Sequence, residues 1–501
     1  MTDVTVSLDP SARIGAVPRR LFGGFVEHLG RHIYDGIHEP SHPSADEDGF
    51  RQDVIALVRE LGVSTIRYPG GNFVSGYRWE DGVGPREDRP TRLDLSWSAL
   101  ETNEIGLNEC MDWLKKAGSE MMLAVNLGTR GAQEAQDLVE YCNFPAGTHL
   151  SDLRAAHGYP KPHDIKLWCL GNEMDGPWQI CAKTAEEYGR LACETAKMMK
   201  LADPSIELVV CGSSGRGMPT YRAWEETVLA HTYEHVEYLS LHTYLDDLDG
   251  DTPSFLAAAL SMDAFIKEVA QICEDVRREK GTDKRVYLSF DEWNVWYHYQ
   301  QSGVQPPKWI KGRPIHEERY TLQDALVVGD MLITLINNAD VVKIACLAQL
   351  INTIAPVMTE ENGPAWLQTT YYPFLYTSRY GRGTALRHTV SSPVYSCRKY
   401  DAVPYIACAS VYNAEKGEVV FFLINRSLDD DIPLTCALSG FHIHEVTQWV
   451  ALEGYDIQDG NTPQSPDRVV PIEKNGASAD DTQVRLTLSA KSWNMVRIKV
   501  S

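Results

Sequence analysis

Two glutamates occupy similar sequence contexts and could form an acid–base pair. Glu173 lies in LWCLGNEMDGPW and Glu292 in YLSFDEWNVWY, each after an apolar run and before a tryptophan. A single glutamate at a strand end is most often a solvated loop residue, whereas two in this context favour a shared chemical role. One carboxyl group would stay protonated and donate to a leaving oxygen, while the other would attack a carbon as a carboxylate. This division of roles suits glycoside hydrolysis.

The residues around each glutamate favour different protonation states. Apolar neighbours and Trp178 disfavour the charged form of Glu173 and predict a raised pKa, as a general acid requires. Donors such as Tyr244 or Arg67 would hold Glu292 ionised, as a nucleophile requires. A separation of about 5 Å between the carboxyl groups predicts retention of configuration, and about 6.5–9.5 Å predicts inversion. The sequence leaves both outcomes open.

Eight short apolar runs alternate with amphipathic helical patterns, and they would position these glutamates. The runs are LFGGFVEHL (21–29), VSTIRYPGG (63–71), MMLAVNLG (121–128), IKLWCLGNE (165–173), IELVVCGSS (206–214), VEYLSLHTY (236–244), RVYLSFDEW (285–293) and VVKIACLAQL (341–350). This alternation predicts an α/β fold, a (β/α)8 TIM barrel with its active site at the carboxyl ends of the strands. Glu173 and Glu292 would then end strands 4 and 7 and face each other across the barrel mouth.

A second domain is predicted from the change of pattern near residue 385. Alternating runs such as GEVVFFLIN and VRLTLSAKSWNMVRIKV replace the helical period and predict a C-terminal antiparallel β-sandwich of jelly-roll type. The early segment VTVSL alternates in the same way and precedes the first barrel strand. We therefore predict a catalytic barrel over residues 18–384 and a sandwich made of residues 1–17 and 385–501.

Composition restricts the partners. The 501-residue chain has 47 Lys and Arg against 69 Asp and Glu, a net charge of −22, which argues against nucleic acid and anionic membrane partners and favours a neutral small molecule. The segment MTDVTVSLDPSARIG lacks the basic and apolar regions of a signal peptide, so we expect a cytoplasmic protein. The 11 cysteines include no CxxC pair, and we expect them to be reduced and largely buried.

Cofactor motifs do not occur at the required spacing. His28-x3-His32 and His231-x3-His235 lack the HExxH pattern of a zinc site. The acidic run DDLDGD (246–251) would lie in a twelve-residue calcium loop whose first and twelfth ligand positions are Leu245 and Leu256, neither of which can bind the ion. With no phosphate-binding glycine motif either, we expect neither a metal nor a nucleotide cofactor.

Several strings in the same order resemble the family 51 α-L-arabinofuranosidases. They are GGFVEHLGRHIYDGIHEP (23–40), IRYPGGNFVSGYRWEDGVGP (66–85), WCLGNEMDGPWQ (168–179), SLHTY (240–244), LSFDEWNVWY (288–297) and LAQLINTIAPV (347–357). The resemblance implies an exo-acting, retaining enzyme that releases terminal non-reducing α-L-arabinofuranosyl residues from arabino-oligosaccharides or from arabinan and arabinoxylan fragments. It implies that Glu173 is the acid/base and Glu292 the nucleophile. It also implies a homo-oligomer, commonly a hexamer.

The resemblance further implies a hydrogen-bonding shell around the sugar, formed by Glu27, Arg67, Asn72, Asn172, Tyr244 and Gln349. In this shell Asn172 would hold the sugar 2-OH, and Tyr244 would orient the nucleophile. We expect His242 to be a further contact. Three tryptophans would either wall the pocket and stack on the aglycone or serve only in packing: Trp97, Trp296 and Trp309. One residue departs from the pattern: Cys181 stands where a small residue such as glycine is expected.

Two other functions stay open at this point. A β-xylosidase or endo-β-glucanase of the same clan, which acts on pyranosides, would share both glutamates but would need an open groove lined with several aromatic subsites. A non-catalytic carbohydrate-binding protein would not need two opposed carboxylates. The preferred linkage, 1,2, 1,3 or 1,5, is also left open by the sequence.

Overall fold

The computed structural model describes residues 4–298 and 306–501, and its centre is a closed barrel of parallel strands. The barrel strands are β1 (Gly23–Phe25), β2 (Thr65–Tyr68), β3 (Glu120–Val125), β4 (Leu167–Leu170), β5 (Glu207–Val210), β6 (Tyr238–Leu245), β7 (Tyr287–Val295) and β8 (Val342–Ala348). Each of the eight predicted runs overlaps one strand. The barrel closes where Cys346 of β8 pairs with Gly23 of β1. The predicted (β/α)8 barrel is confirmed.

Ten α-helices accompany the described strands, and most cover the outside of the barrel. They are α1 (Gln52–Leu61), α2 (Leu107–Ala117), α3 (Ala132–Asn143), α4 (His149–Ala156), α5 (Ala185–Ala202), α6 (Ala223–Thr232), α7 (Thr252–Phe255), α8 (Ala259–Glu279), α9 (Leu322–Asn337) and α10 (Tyr371–Tyr380). The sequence fixes the start of α5 locally, since Thr184 and Glu187 form a capping box in which each side chain accepts the other's backbone N–H. None of the described helices has the length and hydropathy needed to cross a bilayer.

The sandwich domain is built from one ten-stranded sheet folded over its own apolar core. Its strands are Val4–Ala16, Thr384–Ser391, Ile406–Asn413, Glu418–Asn425, Ile432–Leu438, Ile443–Leu452, Ile472–Glu473, Ser478–Ala479, Gln483–Leu488 and Ser492–Val500. The N-terminal strand pairs antiparallel with Thr384–Ser391 and parallel with Ile432–Leu438. A strand inserted between two oppositely directed strands must run parallel to one of them, so the predicted antiparallel sandwich contains one parallel pair.

The barrel and the sandwich share a buried apolar contact along α9. The strand Glu418–Asn425 is buried on both faces, with Phe421 in the sandwich core and Phe422 in the core that includes α9. Gly329 of α9 leaves room for Trp493, because a Cβ there would lie 2.5 Å from the indole Cδ1. The residue bounds that the sequence predicts for the two domains stay predictions, and residues 1–3 and 299–305 within them lie outside the described residues.

Candidate active site

A cavity of about 650 Å³ opens at the carboxyl ends of the barrel strands. Most of the predicted site residues line it: Glu27, Asn72, Trp97, Glu173, His242, Tyr244, Glu292, Trp296 and Gln349. Arg67 and Asn172 are buried next to the cavity and join its floor through hydrogen bonds. The structure therefore brings these side chains together from six of the eight barrel strands and the loops that follow them.

Trp309 is the one predicted residue that the structure leaves outside the cavity. Its side chain is 41% exposed, and its backbone N–H donates to the carbonyl oxygen of Ser98. That bond ties the segment to the outer hairpin formed by Arg92–Asp94 and Ala99–Glu101. The ring is not part of the cavity lining.

The two candidate catalytic carboxyl groups lie close together at the bottom of the cavity. One oxygen of Glu173 is within 4.8 Å of one oxygen of Glu292, and both residues are buried. Glu173 follows β4 through a tight turn in which Gly171 has φ +89°, a conformation that favours glycine. Glu292 lies within β7 and pairs in register with His242 of β6. This close approach matches the separation of about 5 Å expected for the retaining arrangement.

Glu292 is held by two hydrogen-bond donors, one on each carboxylate oxygen. Arg67 Nη1 donates to Glu292 Oε1 at 2.7 Å, and Tyr244 donates its hydroxyl proton to Oε2 at 2.7 Å. Arg67 also donates to Asn172 Oδ1 at 2.6 Å. The guanidinium thus fixes the nucleophile candidate and the neighbouring amide as one rigid unit.

Glu173 has the environment of a general acid. Burial raises the pKa of its carboxyl group, and the nearby Glu292 carboxylate raises it further, against the opposing effect of two hydrogen bonds. These bonds come from His242 Nδ1 at 2.9 Å and from Trp178 Nε1 at 2.6 Å. The raised pKa keeps a proton on Glu173 at a pH where an exposed glutamate would be ionised.

His242 lies between the two glutamates and Asp291. Its Nδ1 is 2.9 Å from Glu173 and 3.6 Å from Glu292, while its Nε2 is 3.2 Å from Asp291 Oδ1. Burial alone would lower the pKa of His242, but Glu292 and the other two carboxyl groups outweigh it and raise this pKa to about 10. The imidazole is therefore a buried positive charge that links the two carboxyl groups of the site.

Glu27 and Gln349 close one side of the cavity. Glu27 accepts hydrogen bonds from the Phe73 backbone N–H at 2.9 Å, from Trp97 Nε1 at 3.1 Å and from Gln349 Nε2 at 3.1 Å. Burial raises the pKa of Glu27 to about 8, although the Phe73 and Trp97 donors oppose this rise. His32 Nδ1 lies 2.5 Å from Gln349 Oε1 and fixes that amide. The resulting cluster presents several hydrogen-bonding atoms to a small polar ligand.

Two tryptophans that line the cavity, Trp97 and Trp296, both pack on His316, a residue that the sequence did not predict for the site. His316 lines the cavity, and its ring packs edge-to-face on both Trp97 and Trp296, with centroid distances of 5.5 and 5.0 Å. Trp296 Nε1 donates to His316 Nδ1 at 3.2 Å. Burial lowers the pKa of His316 to about 3, so the ring is neutral and can accept this bond. No local sequence motif marks His316, since it lies on the long connection between β7 and α9.

Two other residues contact the site and stand in the same sequence strings as the two glutamates, so their positions in the sequence could have predicted these contacts. Trp178 stands inside the GNE string and donates directly to Glu173. This hydrogen bond lowers the pKa of the Glu173 carboxyl group, so the expectation that Trp178 disfavours the charged form is wrong, and burial is what raises that pKa. Asp291 precedes Glu292 and lies 3.5 Å from Arg67 Nε. Cys181 has φ +58° and is exposed, which explains why glycine suits this position in the family pattern.

The fold and the site together define a class of protein. A (β/α)8 barrel with two buried glutamates after strand 4 and on strand 7, less than 5 Å apart, is the architecture of a retaining glycoside hydrolase. Two family models match the chain and identify its family within this class. The α-L-arabinofuranosidase 1 domain matches residues 57–250, and the α-L-arabinofuranosidase C-terminal domain matches residues 291–492. The chain belongs to the family 51 α-L-arabinofuranosidases. The resemblance predicted from the sequence strings is confirmed.

Individual relatives agree with this assignment. An intracellular exo-α-(1→5)-L-arabinofuranosidase 1 of Bacillus subtilis strain 168 is 51% identical, with 100% of this chain and 99% of the relative covered. The structure of AbfB, a family 51 α-L-arabinofuranosidase from Bifidobacterium longum, is 44% identical with a TM-score of 0.95 and 99% of both chains covered. The arabinose complex of an α-L-arabinofuranosidase from Thermotoga maritima is 30% identical with a TM-score of 0.88, again with 99% of both chains covered.

Proposed function

We propose that the chain hydrolyses terminal α-L-arabinofuranosyl residues by double displacement, with Glu292 as nucleophile and Glu173 as acid/base. The observation that carries this proposal is that an oxygen of Glu173, whose pKa is raised, lies within 4.8 Å of an oxygen of Glu292, which Arg67 and Tyr244 hold. In the first step a Glu292 oxygen attacks the anomeric carbon, and Glu173 gives its proton to the leaving oxygen. In the second step the Glu173 carboxylate takes a proton from water, which displaces Glu292.

The remaining polar side chains support binding of a single terminal sugar. Asn172 is fixed by Arg67 beside the acid and would hold the 2-OH, whose hydrogen bond strengthens in the transition state. Glu27 and Gln349 close the cavity on one side and would bind the other hydroxyls. A pocket closed in this way favours exo action on chain ends over endo action in an open groove.

Azide rescue tests the two assigned roles. Glu292→Ala should abolish turnover of an activated aryl α-L-arabinofuranoside, and azide should restore it with a glycosyl azide of inverted configuration. Glu173→Ala should form its glycosyl-enzyme from the activated substrate, and azide should give a product of retained configuration. Glu186→Ala, at an exposed glutamate paired with His231, is the matched control and should keep wild-type activity without an azide effect. Wild-type activity in both active-site variants would contradict the assignment.

Substrate class is tested by competition between sugars. Aryl α-L-arabinofuranoside, aryl β-xyloside and aryl β-glucoside should be hydrolysed in that order, with the furanoside strongly preferred. A preference for a pyranoside would favour the β-xylosidase or endo-β-glucanase alternative, and binding without turnover would favour a carbohydrate-binding protein. The name of the Bacillus subtilis relative supports a 1→5 linkage and an intracellular location for this chain also. Short arabino-oligosaccharides are then the substrates to assay for linkage preference.

Assembly is proposed on the family resemblance alone. We expect a homo-oligomer, commonly a hexamer in this family, with the sandwich domain taking part in the contacts. Size-exclusion chromatography with light scattering measures the stoichiometry directly, and a monomer at micromolar concentration would contradict the expectation.

A further inference from the structure

Three side chains in the candidate active site converge with the geometry of a zinc site. One ligand atom from each of Glu173, His242 and Glu292 lies within 4.8 Å of the other two. His242 Nδ1 is 2.9 Å from Glu173 Oε1 and 3.6 Å from Glu292 Oε2. A tetrahedral zinc ion with bonds of about 2.0–2.1 Å keeps its ligand atoms roughly 3.3 Å apart. The two distances from His242 bracket that value, and the two glutamate oxygens, which lie within 4.8 Å of each other, would move together to reach it.

Asp291 supplies the partner that a metal-binding histidine usually has. Its Oδ1 lies 3.2 Å from His242 Nε2, and its side chain is buried. A metal-bound histidine almost always directs its second ring nitrogen towards a carboxylate or carbonyl, which orients the ring and makes it a better ligand. The arrangement that orients His242 in the free enzyme therefore also orients Nδ1 towards an ion between the glutamates.

Access also favours a cation at this point. Four buried carboxyl groups lie in or beside the cavity, those of Glu27, Glu173, Asp291 and Glu292, together with two buried cations among the described residues, the Arg67 guanidinium and the His242 ring. Because burial raises the pKa of Glu173, the ion has to displace a proton from that carboxyl group to bind there. The three ligands line the 650 Å³ cavity, so an ion can enter from solvent and a water molecule can complete its coordination.

We propose that Glu173, His242 and Glu292 form an inhibitory Zn²⁺ site, and that the ion binds reversibly in competition with the arabinofuranosyl substrate. The inference rests on the proposed function, because the ion would occupy both the proton donor and the nucleophile. Binding releases the Nδ1 proton of His242 and any proton on Glu173 to solvent. One imidazole and two carboxylates suit zinc, whereas calcium needs six to eight oxygen ligands and magnesium needs an octahedral set.

Inhibition kinetics of the wild-type enzyme test the proposal. Initial rates with an aryl α-L-arabinofuranoside, measured in a non-chelating buffer with increasing ZnSO4, should show a rising apparent KM and an unchanged kcat. EDTA should restore the rate, while equal concentrations of Mg²⁺ or Ca²⁺ should leave it unchanged. Asp291→Asn should weaken zinc inhibition by about 10–100-fold, as expected when the partner of a ligating histidine is lost.

Two control variants separate this site from other zinc-binding groups. Cys181→Ser removes the exposed thiol on the loop that follows Glu173, and His231→Gln removes a half-buried histidine outside the cavity that pairs with Glu186 at 2.8 Å. Both should retain wild-type zinc inhibition. Loss of inhibition in either control, or a purely non-competitive pattern, would overturn the proposal.

Calorimetry makes the test independent of turnover. Zinc titrated into the wild-type protein should bind at one site per chain, and saturating arabinose should suppress that binding. An enzyme that hydrolyses the arabinofuranoside but neither binds nor is inhibited by zinc would overturn the inference and leave the proposed function intact. Zinc binding that arabinose displaces, in a chain without turnover, would instead contradict the proposed function alone.

Discussion

Tyr244→Phe removes one hydrogen bond from the candidate nucleophile and little else. The hydroxyl donates to Glu292 Oε2 at 2.7 Å, whereas the ring packs edge-to-face on Trp296 at 5.0 Å and would remain in place. A hydrogen bond to a charged group contributes about 1.5–3 kcal/mol. Arg67 still holds the other oxygen at 2.7 Å, so the loss should lie in the lower half of this range, about 1.5–2 kcal/mol. We therefore expect a decrease in kcat of about 10–30-fold.

Steady-state kinetics with an aryl α-L-arabinofuranoside measures this decrease, and a second tyrosine on the same strand gives the control. Tyr238 lies at the other end of β6, where its hydroxyl contacts Glu207 away from the cavity. Tyr238→Phe should therefore leave kcat unchanged. A loss smaller than threefold in Tyr244→Phe, or an equal loss in both variants, would refute the reasoning that the Tyr244 hydroxyl holds the nucleophile.

Three further predictions follow from contacts in and near the cavity. Trp178→Phe should move the basic limb of the kcat/KM profile to higher pH. The indole N–H stabilises ionised Glu173, so its loss raises the pKa of that carboxyl group. A basic limb that stays in place would contradict this prediction. His316→Ala removes the contact shared by two indole rings and should raise KM about 2–12-fold with a smaller change in kcat, as measured with the same substrate. Asp330→Ala removes the carboxylate that lies 2.5 Å from the buried Arg426 guanidinium. Urea denaturation should then show a free energy of unfolding lower by about 3–5 kcal/mol. An unchanged urea midpoint would show that this ion pair is dispensable for stability.

The barrel could be predicted from the sequence because its signals are local. Each strand is a short apolar run between turn residues, and the eight runs alternate with helices that a 3.6-residue period identifies. The parallel pairing of Val4–Ala16 with Ile432–Leu438 had no such signal, since it depends on which gap in the sheet the first strand fills. Alternation indicates a strand, but it does not specify the neighbour or the direction.

The site was predictable to the extent that its residues stand at strand ends. Glu173 and Glu292 follow or end apolar runs, so the barrel geometry alone brings them to one cavity. Residues on long connections carry no comparable signal. His316 lines the cavity and Trp309 does not, although both belong to the same connection between β7 and α9. Only the path of that loop in three dimensions distinguishes them.

The position of the first strand has a consequence for biosynthesis. Val4–Ala16 leaves the ribosome long before its sheet partners, which begin at Thr384 and Ile432. At about 5–20 residues per second, some 380 residues of further synthesis take roughly 20–80 s. During that interval the barrel segments emerge while an apolar strand edge stays unpaired and open to association with other chains. Chaperone demand and low-temperature expression yield should therefore depend on this strand more than on any part of the catalytic cavity.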